Sequence, residues 1–457
     1  MPTFIKTGFW EKKQKGFRDW LNLDNLIEQY IQPQTASVPP FLNPPTLVIN
    51  GKETNVINLN ALNTYTPAIY SDSLVFIELE TITGNYGGNN NFQNIISSHN
   101  VTNKFYFQNL SFPQLKYLYY FDLGNNYYNS LEFNINYLLT LKTISIPNAL
   151  SGGFNISNNS ALEDVELGLG GYVIDENNQI GSYYAISNNN ALKNVIIHNS
   201  NQGINLNGDY GYTYIDVNNC VNIVNIDARK LVNGYVNING TNYNLQNFEE
   251  LIEGGVGMYG STQTSLSFPK GKNLEIFLDG STHTTPINTL DFPIAEVLYI
   301  AFNNISFPAL NIPNSCTNLD IYFTNTELGA FNIANSVTQL YLFIDNSNLT
   351  TINIPNSCTY LYIDFIYNNA SLTDVIGLSN VQYLDGQVIN LTNNALTQSS
   401  VDAVLAKVVD MLNLVDPNYN FQIISVDLSG GTNSTPSAAG IANANILIAA
   451  GLTIAYN

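Results

Sequence analysis

The chain is poor in charge and especially in basic residues. Only 11% of its 457 residues are charged, and 15 basic residues stand against 35 acidic ones, a net charge of −20. Five of the basic side chains lie within the first 18 residues, where Glu11 is the single acid, so the remainder carries 34 acids and 10 bases, or −24. A surface of that sign repels phosphate backbones and anionic lipid. We therefore expect no nucleic-acid partner for the main body of the protein.

Long apolar runs are also missing. No segment approaches the roughly 20 apolar residues that a bilayer-spanning helix needs. The opening stretch, Met1–Thr7, becomes polar at once and does not combine the basic, apolar and small-residue regions of a signal peptide. We expect neither membrane insertion nor export by a signal peptide.

Catalytic motifs are absent from the sequence. No Gly-x-Ser-x-Gly or phosphate-binding loop lies between a predicted strand and a predicted helix. Carboxylates do cluster at Glu249, Glu250 and Glu253, and again at Asp164 and Glu166, and a polysaccharide depolymerase could pair such groups as acid and base. Adjacent carboxylates are more often a solvated surface. We expect no enzyme, with a depolymerase as an alternative.

Repetition is what the chain has in abundance. Four segments, which begin at Leu298, Leu319, Leu340 and Leu361, align without a gap at a spacing of 21 residues. Their first, third and fifth positions are large apolar residues, which is the pattern of a strand with one face against a core. A fixed period in the twenties with one short strand per unit predicts a mainly β repeat solenoid, whose units must stack to bury their apolar faces.

A second apolar stretch and a turn accompany each strand. Leu310–Ser315 and Ile352–Ser357 belong to this series, and Pro313 and Pro355 are expected to end the stretch because proline cannot donate to a central ladder. Upstream the units lengthen, since Asn159–Leu167 recurs 30 residues later and again 29 residues after that. The chain contains 72 asparagines, and those stacked at equivalent turn positions are expected to hydrogen-bond along the column.

The three cysteines do not form a plausible disulfide or metal set. Cys316 and Cys358 are two periods apart, so strands spaced by about 4.8 Å would hold their Cα atoms about 10 Å from each other, beyond disulfide reach. Cys220 aligns with Ala161 and Ala191, and we expect it to be a small buried hydrophobe. The histidines show no metal-ligand spacing, so the sequence predicts no metal site and no cofactor.

The outward positions of the four aligned strands form two columns. The first column is Tyr299, Asp320, Tyr341 and Tyr362, and the second is Ala301, Tyr322, Phe343 and Asp364. Aromatic faces with carboxylates between them can stack on sugar rings and accept their hydroxyl hydrogens, and the same surface suits an exposed protein loop. These columns are the predicted binding face. Two alternatives stay open: the rings pack on cross-strand neighbours, or a partner subunit covers them.

Both ends of the chain differ from the repeats. We predict that residues 1–45 are an aromatic and basic anchor with a Pro-rich linker, and that the anchor docks into another protein rather than capping the first coil. The anchor residues are Phe9, Trp10, Phe17, Arg18 and Trp20. We predict that residues 391–457 are an α/β cap over the last coil. Its predicted elements are a helix over 398–413, a strand over 423–428, an Ala-rich helix with its N-cap at Thr435, and a strand over 452–456.

Three segments resemble known families. Leu349–Ser357 resembles the leucine-rich repeats of BspA-like surface proteins. Val426–Gly440 resembles the end of leucine-rich-repeat proteins encoded by phages of Bacteroidetes bacteria, and Phe4–Lys12 is similar to the start of virion proteins of the same phages. The resemblance implies a leucine-rich-repeat-like solenoid over residues 46–390, with longer, irregular coils in its front half.

The resemblance also implies a function. It indicates a phage virion structural protein of the tail-fibre, spike or head-decoration type, which assembles in the host cytoplasm. Such a protein attaches to other virion proteins by its N-terminus and presents the solenoid to a host-surface glycan or protein. A homo-oligomer such as a trimer is compatible with it. The alternatives are a BspA-like bacterial surface adhesin, which should carry an export signal, and a decoration protein with a purely structural role.

Overall fold

The computed structural model describes the backbone of ten short strands between residues 47 and 136. It further describes residues 138, 141–147, 152–168, 171–175, 178–198, 213–239, 244–245, 247–260, 263–280, 289–414 and 421–457. The chain divides into two compact units between Leu251 and Ile252, a point inside the stretch that the sequence predicts as solenoid. The predicted anchor and linker, residues 1–45, lie outside the described residues.

The chain folds as a mainly β, parallel β-solenoid. It has about nine turns, coils of about 21 residues and a small C-terminal α/β region. At this level the predicted fold class is confirmed.

The first unit holds strands in several parallel ladders. Its strands are β1 (Leu47–Val48), β2 (Val56–Asn58), β3 (Ile69–Tyr70), β4 (Ser73–Val75), β5 (Thr81–Asn85), β6 (Phe105–Tyr106), β7 (Asn109–Ser111), β8 (Tyr117–Asp122), β9 (Tyr127–Ser130), β10 (Glu132–Asn136), β11 (Thr143–Ile146), β12 (Gly152–Ser157), β13 (Asp164–Gly168), β14 (Gly171–Asp175), β15 (Asn178–Ser187), β16 (Asn194–His198), β17 (Thr213–Asn218), β18 (Asn225–Asp227), β19 (Asn233–Asn239) and β20 (Asn244–Leu245). One sheet has the order β1-β4-β7-β11-β13-β16-β18-β20, and β10, β12, β15, β17 and β19 follow one another in a second.

The second unit holds the remaining strands and the helices. Its elements are β21 (Glu253–Tyr259), β22 (Ser265–Ser267), β23 (Asn273–Asp279), β24 (Thr289–Asp291), β25 (Val297–Asn303), β26 (Ser306–Phe307), β27 (Leu310–Asn311), β28 (Asn318–Thr324), β29 (Glu327–Leu328), β30 (Phe331–Asn332), β31 (Gln339–Asp345), β32 (Thr351–Asn353), β33 (Tyr360–Tyr367), β34 (Asp374–Ile376), a 3-10 helix (Leu378–Asn380), β35 (Tyr383–Asp385), β36 (Val388–Asn390), α1 (Gln398–Leu412), β37 (Ser425–Leu428), α2 (Ala438–Ala449) and β38 (Thr453–Tyr456). Its main sheet runs β21-β23-β25-β28-β31-β33-β36-β37-β38, and short strands of successive coils pair beside it, such as β26 with β29 and β27 with β30.

The 21-residue repeat corresponds to one coil. Leu298, Leu319, Leu340 and Leu361 are direct partners in the parallel register of β25, β28, β31 and β33, as predicted. All four are buried, and the apolar residues two and four positions after Leu319 are fully enclosed as well. Burying a side chain of this kind contributes about 1.5–3 kcal/mol, so stacking is what makes a coil stable.

Asparagine closes the main strands in both units. Among the residues that the structure describes, eight asparagines adopt the left-handed backbone conformation, which asparagine tolerates better than most residues. They are Asn158, Asn188, Asn219, Asn304, Asn325, Asn346, Asn368 and Asn393. The Asn346 amide donates to Oδ1 of Asn325 at 2.6 Å, and Asn393 donates to Asn368 at 3.0 Å. The predicted hydrogen bonding of asparagines along the stacked turns is confirmed.

The residue after each of these asparagines points into the coil. At Asn369 the side-chain oxygen accepts the Ser347 backbone N–H at 2.7 Å, and the amide donates to the Ile344 carbonyl at 3.1 Å. In the first unit Asn189 accepts from the Asn159 backbone at 2.9 Å. These side chains hydrogen-bond to backbone N–H and C=O groups that are buried and therefore have no water as a partner.

The register corrects one alignment in the first unit. Val165 pairs with Val195, but Val195 pairs with Ile226, so the third unit lies 31 residues on and not 29. Cys220 therefore takes the buried place of Asn189, and not that of an alanine. A shift of two residues keeps the alternation of a strand intact, which is why the apolar pattern did not reveal it.

The C-terminal region contains the predicted helices and strands. Helix α1 begins and ends within one residue of the prediction, with the Thr397 hydroxyl as its N-cap. Helix α2 begins later than predicted, because Ser437 and not Thr435 accepts the first free backbone N–H groups. Strand β38 pairs with β37 and is the last strand in the order of the main sheet.

Candidate functional site

The outward positions of the main strands in the second unit form the candidate site. Tyr299 pairs with Asp320, Asp320 with Tyr341, and Tyr341 with Tyr362, so the first predicted column exists as drawn. The three tyrosines are half-buried and Asp320 is exposed. Parallel pairing holds these positions at the strand spacing, because adjacent strands lie about 4.8 Å apart.

The second predicted column is wrong at its last member. Ala301, Tyr322 and Phe343 are register partners, but the register shifts between β31 and β33. Phe343 pairs with Phe365, which leaves Asp364 as the extra residue of a bulge. Strand β33 has one extra residue, so the residues after the bulge lie on the face opposite to the predicted one. The sequence still fits a spacing of 21, so spacing alone could not locate the bulge.

Aromatic rings stack in one continuous row that crosses between the two columns. The ring centroids of Tyr299 and Tyr322 lie 4.8 Å apart, those of Tyr322 and Tyr341 4.9 Å, and those of Tyr341 and Tyr362 4.7 Å. Phe277 extends the row at 4.9 Å from Tyr299. We call these five residues the aromatic ladder. The diagonal steps place a ring on every strand although each column alone is interrupted.

Phe277 is a member that the sequence analysis missed. Strand β23 lies one coil before the four aligned segments, and Leu274 is the register partner of Leu298. Its spacing from that segment is 24 residues, so it fell outside the fixed period of 21. The signal that could have found it is the same alternation, with apolar residues at Leu274, Ile276 and Leu278.

The ladder has defined ends. Glycines stand opposite its first strand, since Gly255 pairs with Glu275 and Gly257 with Phe277. A Cβ at Gly255 would lie 1.7 Å from the Glu275 carbonyl oxygen, so the close approach of the two strands requires glycine there. At the other end, Asp385 is the register partner of Tyr362.

Burial changes the titration of two ladder positions. Burial, with smaller contributions from the neighbouring Tyr322 and carboxylates, raises the pKa of Tyr299 to about 12, so its hydroxyl stays a neutral donor at physiological pH. Burial also raises the pKa of Asp320 above its usual value. The Asp320 side chain is nevertheless exposed, with tyrosines at the paired positions of both neighbouring strands.

The remaining predicted residues lie beside the ladder or outside the described structure. The Phe343 ring lies 6.0 Å from Tyr322 and meets Tyr367 edge-on at 6.3 Å. The side chain of Asp364 is not described, and the anchor residues predicted near the N-terminus are outside the described ranges. That part of the prediction stays untested.

The alternative chemical candidates have structural partners. All three cysteines are buried and unpaired, and burial raises the pKa of the Cys220 thiol to about 11. Glu166 accepts a hydrogen bond from Ser145 at 2.7 Å, and Asp164 accepts one from Asn194 at 2.7 Å. Within the described ranges, no group of three or more His, Cys, Asp or Glu side chains is arranged to hold a metal ion.

Two further findings concern the chain as a whole. No helix in the described part of the chain has both the length and the apolar character needed to cross a membrane. Comparison with protein-family models, curated proteins and solved structures finds no match to this chain.

Proposed function

We propose that the protein is a phage virion structural protein, of the fibre, spike or decoration type, whose solenoid binds the host surface. The aromatic ladder is the observation that carries the binding part of this proposal. The resemblance of Leu349–Ser357, Val426–Gly440 and Phe4–Lys12 to repeat and virion proteins carries the virion part. The proposal includes that the coils of the solenoid are of the leucine-rich-repeat type.

The ladder suits recognition for physical reasons. Tyrosine offers a large contact area and a hydroxyl at a small entropic cost, and it is enriched among residues that dominate binding energy. Here the rings stand on paired parallel strands, so their positions are fixed before a ligand arrives, which lowers the entropy lost on binding. A flat row of this kind fits an extended ligand better than a small molecule enclosed in a cleft.

Attachment to the virion is assigned to the N-terminal anchor. We propose that Trp10, Trp20 and the neighbouring basic residues dock into another virion protein. A W10A/W20A variant of the full chain should fail to incorporate into particles during infection while purified protein still binds cells. Incorporation at the wild-type level would contradict this assignment.

Cell binding tests the main proposal directly. Fluorescently labelled full-length protein is titrated onto a panel of Bacteroidetes cells, and the strain that binds is used to compare variants. Y341F/Y362F keeps the stacked rings and removes two hydroxyls. Each lost hydrogen bond is worth about 0.5–1.5 kcal/mol, so we expect cell binding to weaken by about tenfold.

A matched control comes from the first unit. Tyr214 and Tyr235 are also stacked, with centroids 5.7 Å apart, so Y214F/Y235F changes the same chemistry away from the ladder. This control should bind cells like the wild type. Equal binding by both double variants would contradict the assignment of recognition to the ladder, and release of sugars from the cells would favour the depolymerase alternative.

A further inference from the structure

The stacking of the ladder limits what it can recognise, and this inference rests on the proposed function. Tyr322 and Tyr341 each have a ring on both sides, at 4.7–4.9 Å and with interplanar angles of 14–30°. Stacking on a sugar needs an accessible ring face. For these inner members a ligand instead meets ring edges and phenolic hydroxyls, so the ladder is a poor platform for sugar stacking.

The charge of this face has one sign. None of the five strands that carry the ladder, β23, β25, β28, β31 and β33, contains Lys, Arg or His. Glu275 and Asp320 lie in the first column among the rings. A ring edge carries a small positive partial charge, but a full carboxylate charge outweighs it. The face therefore repels phosphates and acidic sugars and attracts cations.

Asp320 differs from Asp279 and Asp345, two other carboxylates on these strands. Asp279 accepts a hydrogen bond from Asn303 at 3.2 Å, and Asp345 accepts one from Asn368 at 3.1 Å. Asp320 has Tyr299 and Tyr341 as its register partners, and it forms no hydrogen bond or ion pair with any described residue. An exposed carboxylate that receives no hydrogen bond from the described residues is open to a charge-assisted hydrogen bond from an incoming cationic donor.

We propose that the aromatic ladder binds a polypeptide segment that carries lysine or arginine, and that the Asp320 carboxylate pairs with the cationic group of that segment. The long apolar stem of either side chain packs along the ring edges while its charged end reaches the carboxylate. Backbone amides of an extended segment can meanwhile hydrogen-bond to the row of phenols. The ligand class is thus a basic protein loop or tail on the host surface.

Peptide binding to the full-length protein tests the proposal. The probe is a fluorescent (Lys-Gly)6 peptide, and its counterpart with every lysine acetylated has the same length without the charge. We expect D320N to weaken binding of the lysine peptide by about tenfold and acetylation to weaken it at least as much. D291N is the matched control, because it removes the same single charge from a residue on β24, which belongs to a separate two-stranded sheet.

The outcomes separate the two proposals. Equal weakening by D320N and D291N would show a general effect of the −20 charge and overturn the inference. Stronger binding of a neutral chitohexaose, or of its amino form chitosan hexamer, than of the peptide would also overturn it, while leaving host binding by the ladder intact. Absence of cell binding by the wild-type protein would instead contradict the proposed function.

A second measurement does not depend on the variant folding. For the wild-type protein, affinity for the lysine peptide should fall as acid protonates Asp320. The titratable groups around this carboxylate are the phenols of Tyr299, Tyr322 and Tyr341, the thiol of Cys316 and the carboxylate of Glu275. Burial raises the pKa of Tyr299 and that of Cys316 to about 12, so neither ionises between pH 7 and pH 4, and E275Q removes the Glu275 carboxylate. Affinity that does not change between pH 7 and pH 4 in E275Q would overturn the inference.

Discussion

Two outward carboxylates, one in each unit, stand in contrasting surroundings. Asp216 on β17 and Asp320 on β28 both have a pKa raised by burial. Asp216 accepts a hydrogen bond from Asn237 at 3.0 Å, and amides of the same unit favour its charged form. Asp320 lies between tyrosines and lacks such a donor among the described residues. The first carboxylate is hydrogen-bonded within the fold, and the second is the one that we propose pairs with a ligand.

The contrast shows where this solenoid varies. Inward positions follow one plan in both units, with apolar columns and a buried residue after each left-handed asparagine, which is polar at six of the eight described positions. Outward positions are not needed for the core, so they can hold the hydrogen-bonded Asp216–Asn237 pair in one unit and a row of rings in the other. Function is therefore expected at the outward columns, because the scaffold tolerates change there.

The largest effect should come from the inward plan that the units share. N189A and N369A each leave at least two buried backbone groups without a partner, at about 1–3 kcal/mol per group. We expect the local free energy of unfolding to fall by about 2–5 kcal/mol around either site. Hydrogen exchange of the coil resolves this better than a global melt, since repeat arrays need not unfold in two states.

Cys220 provides the control for that pair. It occupies the same inward position, with Sγ 3.8 Å from the Ile186 carbonyl oxygen and 3.4 Å from the Asn218 carbonyl oxygen, both of which are weak thiol contacts. C220A should cost about 1 kcal/mol or less around its coil. A loss at C220A as large as at N189A would show that volume, and not hydrogen bonding, governs the position.

A smaller effect is expected from the rings. Tyr341 stacks between Tyr322 and Tyr362. Each aromatic pair is worth about 0.5–1.5 kcal/mol beyond its buried area. Y341A should therefore lower the free energy of unfolding by about 1–3 kcal/mol, as measured by denaturant unfolding. A loss below about 0.5 kcal/mol would mean that the ladder adds no stability of its own.

The repeats show what a sequence can predict. Leu298, Leu319, Leu340 and Leu361 predict both the strands and their register, because an apolar residue in a stacked coil is favoured on the side that faces the core. The same signal is ambiguous to a shift of two, as Cys220 shows, and it does not detect a bulge, as Asp364 shows. Both errors preserve the alternation of apolar residues, which is the only property that the pattern measures.

The candidate site was predictable as a set of columns but not as a ladder. Tyr299, Tyr341 and Tyr362 were placed correctly by their spacing. The rings stack diagonally through Tyr322, and Phe277 joins them. Both features depend on the directions in which side chains point across neighbouring strands. That Asp320 receives no hydrogen bond from its tyrosine neighbours depends on where their hydroxyls lie, and only the three-dimensional arrangement supplies that information.

The smallest effect, and the sharpest test of the comparison, is the pH dependence of Asp320. Because its pKa in the folded state is raised, the folded protein holds the proton more tightly than the unfolded chain, whose aspartates titrate near about 3.9. Its contribution to stability is therefore greatest below that pH and falls as the pH rises through the folded-state value. D320N removes the penalty, so it should be slightly more stable than the wild type at pH 7, with the difference shrinking toward pH 3.

D216N should gain less at pH 7 than D320N, because the wild-type carboxylate of Asp216 already receives amide hydrogen bonds. Thermal melts of the wild type and both variants at pH 3, 5 and 7 measure the difference. A D320N protein less stable than the wild type at pH 7 would mean that the fold itself uses the charge. A variant that gains stability while losing peptide affinity would instead mark Asp320 as a residue whose charge serves binding at the expense of the folded state.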